Sequence, residues 1–251
     1  MLLETRQLSR TFGGVHAVDR VDLAVAAGQA FGLIGPNGAG KTTLINLISG
    51  HLRADGGSVL LDGATVTRLA PHELTARGIA RTFQGVRLFK GLTVFDNVLV
   101  GRHARLRSDV VRRLVPRRSR ADPDRERAMG LLERVGLRRR AGALAGELAY
   151  GDQRRLEIAR ALASEPRVLI LDEPAAGMNP SESGRLRELM RALVAEGITI
   201  VLIEHDVGLV MGTCERVAVL NFGRKIAEGS PAEVRASAAV REAYLGAEDV
   251  A

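Results

Sequence analysis

The chain has 251 residues, 46% of them hydrophobic, and its 36 lysines and arginines against 29 aspartates and glutamates leave a net charge of +7. This length and apolar content predict one large α/β domain with a subdomain and exclude a disordered chain, while the one cysteine, Cys214, excludes an internal disulfide and fits a reducing compartment. No apolar run reaches the roughly 18 residues of a membrane span, and the N-terminus lacks the pattern of a signal peptide, so we expect neither a transmembrane chain nor an exported one.

The first part of the chain predicts strands followed by a strand, loop and helix. Residues 2–8 and 18–23 are typical of antiparallel strands with a turn at Gly13-Gly14. Residues 30–34 form a short apolar run that suits a buried strand, and apolar residues at helical spacing begin at Leu44.

A phosphate-binding loop lies between that strand and helix. The stretch matches the pattern G-x-x-x-x-G-K-[ST] and consists of Gly35, Pro36, Asn37, Gly38, Ala39, Gly40, Lys41 and Thr42. Small residues let consecutive backbone N–H groups point into one concavity, at which the new helix aims its positive end. Lys41 is expected to reach the β- and γ-phosphates and the Thr42 hydroxyl to bind Mg²⁺, so the sequence predicts a nucleoside triphosphate site.

The middle of the chain predicts an inserted helical subdomain. A short helix at 71–78 and a strand at 79–83 precede it, and Thr93 starts an N-cap pattern. From there to about residue 165 the chain is mostly helical and rich in arginine. The Asp122-Pro123 pair predicts the start of a helix within this stretch.

The densest arginine cluster has no aromatic residues between its members, and it comprises Arg112, Arg113, Arg117, Arg118, Arg120, Arg138, Arg139 and Arg140. Platforms on which bases could stack are therefore missing. A solvated face is the leading interpretation. Contact with lipid headgroups or a partner loop, and nucleic-acid binding, are the alternatives.

Strand and helix signals alternate again after Pro166. Residues 168–171, 198–203 and 217–220 predict buried strands, and a core-facing helical stripe is formed by Leu186, Leu189, Met190, Leu193 and Val194. Near-continuous apolar strands that alternate with helices indicate a parallel sheet covered on both faces. A capping box at Ser230 predicts a final helix toward Tyr244.

Acidic and polar side chains follow the predicted strands. Asp172 and Glu173 end the strand at 168–171, where Asp172 is expected to hold the metal ion and Glu173 to act as the general base on water. His205 follows the next strand and is expected to contact the γ-phosphate, because ligands of α/β sheets bind at the carboxyl edge. Gln84 follows the strand at 79–83 and is uninformative by itself.

The order of these motifs, with Leu148-Ala149-Tyr150-Gly151-Asp152 before the helix at Gln153, resembles the ATP-binding subunit of ABC transporters over nearly the whole chain. This resemblance implies an α/β P-loop ATPase with a mostly parallel core sheet, an N-terminal antiparallel β subdomain and an inserted helical subdomain. It implies one domain over 1–251, with the core in 1–91 and 166–228, the helical subdomain in 92–165 and a C-terminal helix in 229–251. The implied cofactors are ATP and Mg²⁺, and the implied catalytic residues are Lys41, Gln84, Glu173 and His205.

The resemblance also assigns binding residues. It implies that ATP contacts Phe12, which stacks on adenine, and Val15, Gly35, Pro36, Asn37, Gly38, Ala39, Gly40, Lys41, Thr42, Thr43, Gln84 and Asp172, and that Ala149, Tyr150, Gly151 and Asp152 act on the ATP of a partner subunit. The implied metal ligands are Thr42, Gln84 and Asp172. Gln84 is also expected to couple the site to a transmembrane partner. Two positions depart from the family pattern, since Ala149 replaces the usual serine and Asn179 the usual aspartate.

Several stretches, including Arg81-Thr82-Phe83-Gln84 and Ala243-Tyr244-Leu245-Gly246, closely resemble one of the two ATPase subunits of bacterial branched-chain amino acid importers. That resemblance implies a second ATPase, two permease subunits and an extracytoplasmic binding protein as partners, at the cytoplasmic face of the inner membrane. Importers of other amino acids, amides or urea, and the lipopolysaccharide-export ATPase, are alternatives. A soluble nucleic-acid-associated ABC ATPase is disfavoured, because the chain has neither two fused cassettes nor a long coiled-coil insertion.

Overall fold

A computed structural model describes residues 1–104 and 123–245 and contains two sheets in these ranges. The strands are β1 (Leu3–Phe12), β2 (Val15–Val25), β3 (Ala30–Ile34), β4 (Gly56–Leu61), β5 (Ala64–Thr65), β6 (Ile79–Arg81), β7 (Val168–Asp172), β8 (Thr199–Ile203), β9 (Arg216–Asn221) and β10 (Arg224–Gly229). The helices are α1 (Lys41–Ile48), α2 (Pro71–Ala76), α3 (Val94–Gly101), α4 (Pro123–Arg134), α5 (Tyr150–Leu162), α6 (Pro180–Ala195), α7 (Val207–Met211), α8 (Pro231–Ala236) and α9 (Ala238–Leu245).

The N-terminal sheet is antiparallel, in the order β2-β1-β4-β5. It starts with the strand pair predicted from the sequence, although both strands extend further than the apolar pattern. They meet at a tight turn in which Gly13 and Gly14 have φ values of 50° and 89°. Glycine adopts this left-handed region without steric cost, which explains why the chain can reverse there.

The second sheet is mostly parallel, in the order β10-β9-β3-β8-β7-β6, and only β10 runs antiparallel to its neighbour. Every residue of β3, β7 and β8 is buried. Helices and the antiparallel sheet cover its faces, which confirms the prediction of a parallel sheet buried on both sides.

The strand register brings the polar ends of the central strands to one edge of this sheet. Ile203 of β8 lies beside Leu33 of β3 on one side and beside Asp172 of β7 on the other. Because the strands are parallel, the segments that follow them leave at the same edge. The loop after β3, the turn after β7 and the segment after β8 therefore lie side by side.

The helical subdomain has an apolar core of its own. Val94, Val98, Leu132 and Leu156 are fully buried there, in a cluster drawn from α3, α4, α5 and the loop between α4 and α5. Thr93 caps α3 as predicted, since its hydroxyl accepts a hydrogen bond from the backbone of Asp96 at 3.0 Å. The arginines at 112–120 and the cap at Asp122 lie outside the described residues.

Two predictions about elements differ from the structure, and three strands were not predicted. The strand at 79–83 is shorter, because the carbonyls of Phe83 and Gln84 bond to Arg154 on α5 and the chain leaves the sheet there. The C-terminal segment forms two helices, since Ser237 with ψ 124° ends α8. Strands β4, β5 and β10 lie at or near sheet edges and were not predicted.

Cys214 packs in the apolar core, as its solitary occurrence predicts. Burial raises the pKa of its thiol to about 12, so the thiol stays protonated and unreactive near neutral pH. No helix among residues 1–104 and 123–245 combines the length and apolar content of a membrane span.

Candidate nucleotide-binding and hydrolysis site

The phosphate loop depends on glycines that have no room for a side chain. Gly35 and Gly40 have φ values of 150° and 99°. A Cβ atom on Gly35 would lie 2.2 Å from the carbonyl oxygen of Leu220, and one on Gly40 would lie 2.2 Å from that of Ala17. Strands β9 and β2 therefore press directly on the loop, which holds its backbone in a shape that only glycine can follow.

Lys41 opens α1 and folds back over the loop. Its Nζ donates hydrogen bonds to the carbonyls of Gly35, at 2.6 Å, and Pro36, at 3.0 Å. Burial lowers the pKa of Lys41, and the carboxylates of Glu173 and Asp172 oppose that shift. A buried ammonium group that faces two carboxylates across the loop is well placed to attract phosphate oxygens.

The loop offers its outer face to solvent. Asn37 and Gly38 at its tip are exposed, and the Thr42 side chain is exposed in the first turn of α1, with Thr43 half-buried beside it. A helix N-terminus with free N–H groups favours an anion, and an exposed hydroxyl there can also bind a cation.

Asp172 is buried at the end of β7 and forms an ion pair with Arg81. The Arg81 Nη2 lies 2.8 Å from Asp172 Oδ2, and its Nη1 donates to Asn46 Oδ1 at 2.7 Å and Ser49 Oγ at 2.9 Å. The guanidinium also lies 5.0 Å from the ring centre of Phe83. Arg81 thus links β6, α1 and the acidic end of β7, and among the described residues no donor reaches the other oxygen of Asp172.

Glu173 lies at the centre of a hydrogen-bonded group. Its Oε2 accepts from the amide Nε2 of Gln84 at 2.8 Å, and its Oε1 lies 2.8 Å from Nε2 of His205. A carboxylate can only accept, so the proton of this second bond sits on the imidazole. The side chains of Gln84 and His205, from the segments after β6 and β8, therefore meet at the carboxylate of Glu173, which follows β7.

The signature segment, residues 148–152, begins α5. Ala149 is the N-cap residue and provides no side-chain cap. Gly151 lies against Glu182: a Cβ there would lie 2.5 Å from a carboxylate oxygen of Glu182, whose flexible side chain would have to move. Asn179 has a structural place in the same contact, since it forms the capping box of α6 with Glu182.

Arg154 connects this helix to the segment around Gln84. Its guanidinium donates to the carbonyls of Phe83, at 2.7 Å, and Gln84, and to the hydroxyl of Tyr150 at 3.1 Å. The side chain is buried and lies 3.5 Å from the buried carboxylate of Glu157. Sequence reasoning missed both Arg154 and Arg81, because a lone arginine carries no signal of a buried partner far along the chain.

Phe12 and Val15 lie opposite each other at the turn between β1 and β2. Both are exposed, Phe12 at 42%, and the guanidinium of Arg10 lies 4.7 Å from the ring centre of Phe12. The carbonyl of Ala17, two residues after Val15, abuts Gly40 of the phosphate loop. This hairpin end therefore lies beside the loop with an aromatic ring open to solvent.

The signature segment and the phosphate loop are not linked by polar contacts in the described part of the chain. Among residues 1–104 and 123–245 no hydrogen bond or ion pair joins residues 35–42 to residues 148–152. The other predicted site residues converge on the carboxyl edge of the parallel sheet. A phosphate loop after β3, next to a strand that ends in a buried aspartate followed by a glutamate, defines the class of P-loop nucleoside triphosphatases.

Comparison with known proteins identifies the family. Residues 18–176 match the family described as ABC transporter, and residues 224–250 match the family described as Branched-chain amino acid ATP-binding cassette transporter. The chain belongs to the ABC transporter family of ATP-binding proteins, whose members bind and hydrolyse ATP.

Individual relatives span the whole chain. The high-affinity branched-chain amino acid transport ATP-binding protein BraF of Pseudomonas aeruginosa is 44% identical over 249 residues, which is 98% of each chain. The same figures hold for the protein LivG of Escherichia coli K12, which carries the same description. A probable branched-chain amino acid transport ATP-binding protein of Archaeoglobus fulgidus is 36% identical over 99% of this chain and 96% of its own.

Solved structures agree with this fold. A nucleotide-free ATP-binding cassette from an ABC transporter matches with a TM-score of 0.85 and 34% identity, over 97% of this chain and 98% of that one. The ADP conformation of an ATP-binding cassette of an ABC transporter matches with a TM-score of 0.85 and 35% identity, over 98% of both chains.

Proposed function

We propose that the chain is the ATP-hydrolysing subunit of an importer for branched-chain amino acids. Two observations support the solute class: the names of the relatives at 44% identity, and the match of residues 224–250 to the branched-chain family. The chemistry is supported by one observation above all, the arrangement of Gln84 and His205 around Glu173 beside the phosphate loop.

ATP would bind with its phosphates over the loop and its base at the hairpin. The backbone N–H groups of residues 35–42, with Lys41 and Thr43, are proposed to hold the phosphates. Phe12 offers a ring face to adenine because Arg10 covers only one side, and Val15 extends that surface. Stacking fixes the base while the loop fixes the phosphates.

The oxygen ligands that Mg²⁺ prefers are present at this edge. The free carboxylate oxygen of Asp172 and the exposed hydroxyl of Thr42 fit the ion, and so does the amide oxygen of Gln84, because its nitrogen donates to Glu173. Within the described residues no three His, Cys, Asp or Glu side chains cluster around a cation site. This agrees with an ion that takes one carboxylate and completes its shell with water and phosphate. When bound, it would neutralise charge that develops on the phosphates.

Glu173 is proposed to accept the proton of the attacking water. The contact with His205 lets the imidazole orient the carboxylate and then donate toward the γ-phosphate oxygens, and Gln84 holds the other carboxylate oxygen. Lys41 stabilises negative charge between the β- and γ-phosphates. The Glu173 carboxylate, the His205 imidazole that orients it and the Lys41 ammonium group that binds phosphate are therefore in place before substrate arrives.

The remaining parts of the site are proposed to come from a second ATPase subunit. Ala149, Tyr150, Gly151 and Asp152 start a 13-residue helix and share no hydrogen bond with their own phosphate loop in the described part of the chain, which supports a role at the ATP of a partner. With Ala149 in place of serine, the anion would be bound by backbone N–H groups and the helix N-terminus. ATP then bridges the two subunits, and hydrolysis releases them.

A surface next to Gln84 suits the permease partners. Phe89, Leu92 and Leu144 are exposed, and backbone hydrogen bonds from Ala145 to Leu92 and from Gly146 to Lys90 hold their segments together. We call Phe89, Leu92 and Leu144 the apolar surface. Helix α5 touches both this surface and the site, because its Arg160 lies 5.9 Å from the ring centre of Phe89 and its Arg154 bonds to the carbonyl of Gln84. We propose that permease subunits dock there, which would hold the chain at the cytoplasmic face of the membrane, and that residues 92–165 form the subdomain that moves with them.

Glu173→Gln tests the chemistry. The amide cannot accept a proton from water, so kcat for ATP should fall at least about 100-fold, which is the scale of general base catalysis. The dissociation constant for ATP should stay within about threefold, because the phosphate loop is untouched. Steady-state phosphate release and binding of a fluorescent ATP analogue measure the two quantities.

Glu215→Gln is the matched control. Its carboxylate accepts a hydrogen bond from the Ala30 backbone at 2.7 Å, at the opposite edge of the same sheet. Turnover of this variant should equal that of the unmodified protein. Unchanged turnover in Glu173→Gln would remove Glu173 as the general base and with it the proposed mechanism.

A further inference from the structure

Glu173 holds an unfavourable backbone conformation. Its φ is 48°, in the left-handed region where a non-glycine residue costs on the order of 1 kcal/mol or more. Such a conformation persists only when neighbouring groups fix it. The side-chain bonds to Gln84 and His205 cannot do this alone, because a side chain can rotate while its backbone relaxes.

The backbone around Glu173 is held by the segment after β8. The Glu173 N–H donates to the carbonyl of Ile203 at 2.9 Å. Two residues further on, the N–H of Ala175 donates to Oε1 of Glu204 at 2.7 Å. The second oxygen of Glu204 accepts from the backbone N–H of His205 at 3.3 Å. One carboxylate thus bridges the turn that carries Glu173 and the residue that pairs with it.

The position of Glu204 disfavours a negative charge. The residue is 4% exposed, and Glu173 and Asp206 lie close enough to disfavour its negative charge. Burial raises its pKa, and the two backbone N–H groups oppose that shift. A carboxylate in such a place is retained by the bonds it makes, and both of these bonds fix backbone in the hydrolysis site.

We infer that Glu204 is a positioning residue for hydrolysis: it ties the Glu173 turn to His205 so that the carboxylate and the imidazole stay in contact. The inference rests on the proposed role of Glu173. Among the described residues no hydrogen bond or ion pair joins Glu204 to the phosphate loop, so we expect it to act on the chemical step and to leave nucleotide affinity to the loop.

Glu204→Gln is the principal variant. Its amide oxygen can accept from only one of the backbone N–H groups of Ala175 and His205. Its NH₂ group would face the other N–H, and two donors cannot bond to each other. We expect kcat to fall about tenfold or more, because displacements on the order of 1 Å in a site cost up to about 100-fold. The dissociation constant for ATP should change less than about threefold. Hydrogen exchange of the amides of residues 173–177 should become faster.

Glu204→Asp and Glu215→Gln complete the set. Aspartate keeps both acceptor oxygens on a shorter side chain, so it should recover part of the lost kcat. Glu215→Gln removes the same kind of carboxylate-to-backbone bond outside the site and should leave kcat and exchange at 173–177 unchanged. If Glu204→Gln fails to fold, Glu204→Asp is measured by the same three quantities and should show a smaller loss of kcat with unchanged affinity.

Two results would overturn the inference. One is a folded Glu204 variant with the kcat of the unmodified protein. The other is a loss of kcat that comes with an equal loss of ATP affinity and a lower melting temperature, which is the behaviour of a residue that serves the fold only. Failure of the proposed function has a different signature, since Glu173→Gln would then retain turnover.

Discussion

Arg81 forms an ion pair with one oxygen of Asp172, the proposed metal ligand. Its guanidinium binds Oδ2 of Asp172, Asn46 and Ser49 in a buried position, with both members of the ion pair almost inaccessible. Removal of one member of a buried pair leaves an uncompensated charge and typically costs about 3–5 kcal/mol. Arg81 therefore contributes to stability and occupies Oδ2 of Asp172, which leaves the other oxygen without a donor among the described residues.

Arg81→Gln should lower the melting temperature in the absence of divalent cations. Addition of Mg²⁺ with ATP should raise the melting temperature by more in this variant than in the unmodified protein, because the metal would then be the cation nearest to an unpaired Asp172. Thermal unfolding with ATP, with and without Mg²⁺, measures the increment.

Arg87→Gln is the control for this measurement. Arg87 stacks on the same ring of Phe83, at 4.2 Å, without touching Asp172. Its increment with Mg²⁺ should equal that of the unmodified protein. An equal increment in Arg81→Gln would mean that Asp172 does not hold the ion.

Residues whose roles follow from a short, contiguous sequence motif could be predicted from the sequence. The phosphate loop is one example, since its glycines and lysine fall within eight consecutive positions. Arg81, Arg154 and Glu204 could not be found in this way. Their partners lie 91, 70 and 29 residues away along the chain, and only the folded sheet brings them together.

Helix α5 is the element that joins the helical subdomain to the site. Its second turn carries Arg154, whose three donors bind two carbonyls of the segment after β6 and a hydroxyl in its own first turn. The segment thereby moves with the helix. A rotation of the subdomain would displace Gln84 and with it one of the two groups that hold Glu173.

Arg154→Lys should loosen this connection while keeping the charge beside Glu157. A single ammonium group cannot reach all three acceptors, so about 1–3 kcal/mol of stability should be lost where a carbonyl is left unsatisfied. Amide exchange in residues 82–88 should become faster. Binding of ATP to the phosphate loop should persist. Denaturant unfolding and hydrogen exchange measure these effects.

Arg191→Lys provides the comparison, because Arg191 binds the single exposed carbonyl of Gly212 at 2.8 Å. It should change stability by less than about 0.5 kcal/mol. If amide hydrogen exchange in residues 82–88 stays slow in Arg154→Lys, α5 does not hold this segment.

Element prediction succeeded where burial dictates the pattern. Strands β3, β7 and β8 are buried at every position, so they read as apolar runs, and the stripe of α6 predicts its buried face. Edge elements carry a weaker signal. Strand β10 reads Arg-Lys-Ile-Ala-Glu-Gly and is mostly exposed or half-buried, so pairing with β9 forms it and periodicity does not reveal it.

At the scale of the whole molecule, the site of nucleotide chemistry and the surface proposed to couple it to the permease lie on different parts of the fold. The hydrolysis site lies at the carboxyl edge of the parallel sheet, whereas the apolar surface of Phe89, Leu92 and Leu144 belongs to segments at the helical subdomain. Exposed large apolar side chains that lie together favour a protein partner. Because α5 carries both Arg160, which lies 5.9 Å from the ring centre of Phe89, and Arg154, which bonds to the Gln84 carbonyl, docking on that surface can reach the site through this helix.

Phe89→Asp tests the permease contact. Phe89 is 51% exposed, so a charge there costs the free chain little and should abolish docking on an apolar partner surface. The tagged protein, purified from detergent-solubilised membranes of its own host, should bring two multi-spanning membrane proteins and a second ATPase. The Phe89→Asp variant should lose the membrane proteins while it retains ATP binding.

Phe222→Asp is the matched control for that purification. Phe222 is 84% exposed at the turn between β9 and β10, with φ 43°, a conformation that aspartate tolerates better than phenylalanine. This variant should recover the same partners as the unmodified protein, because its turn bonds to the phosphate loop, where the N–H of Gly223 donates to the carbonyl of Ala39, and is not part of the apolar surface. If instead the unmodified chain is recovered without membrane proteins and with nucleic acid, the positive charge is the binding determinant. The transport assignment then fails, and only the proposal of ATPase chemistry at Glu173 remains.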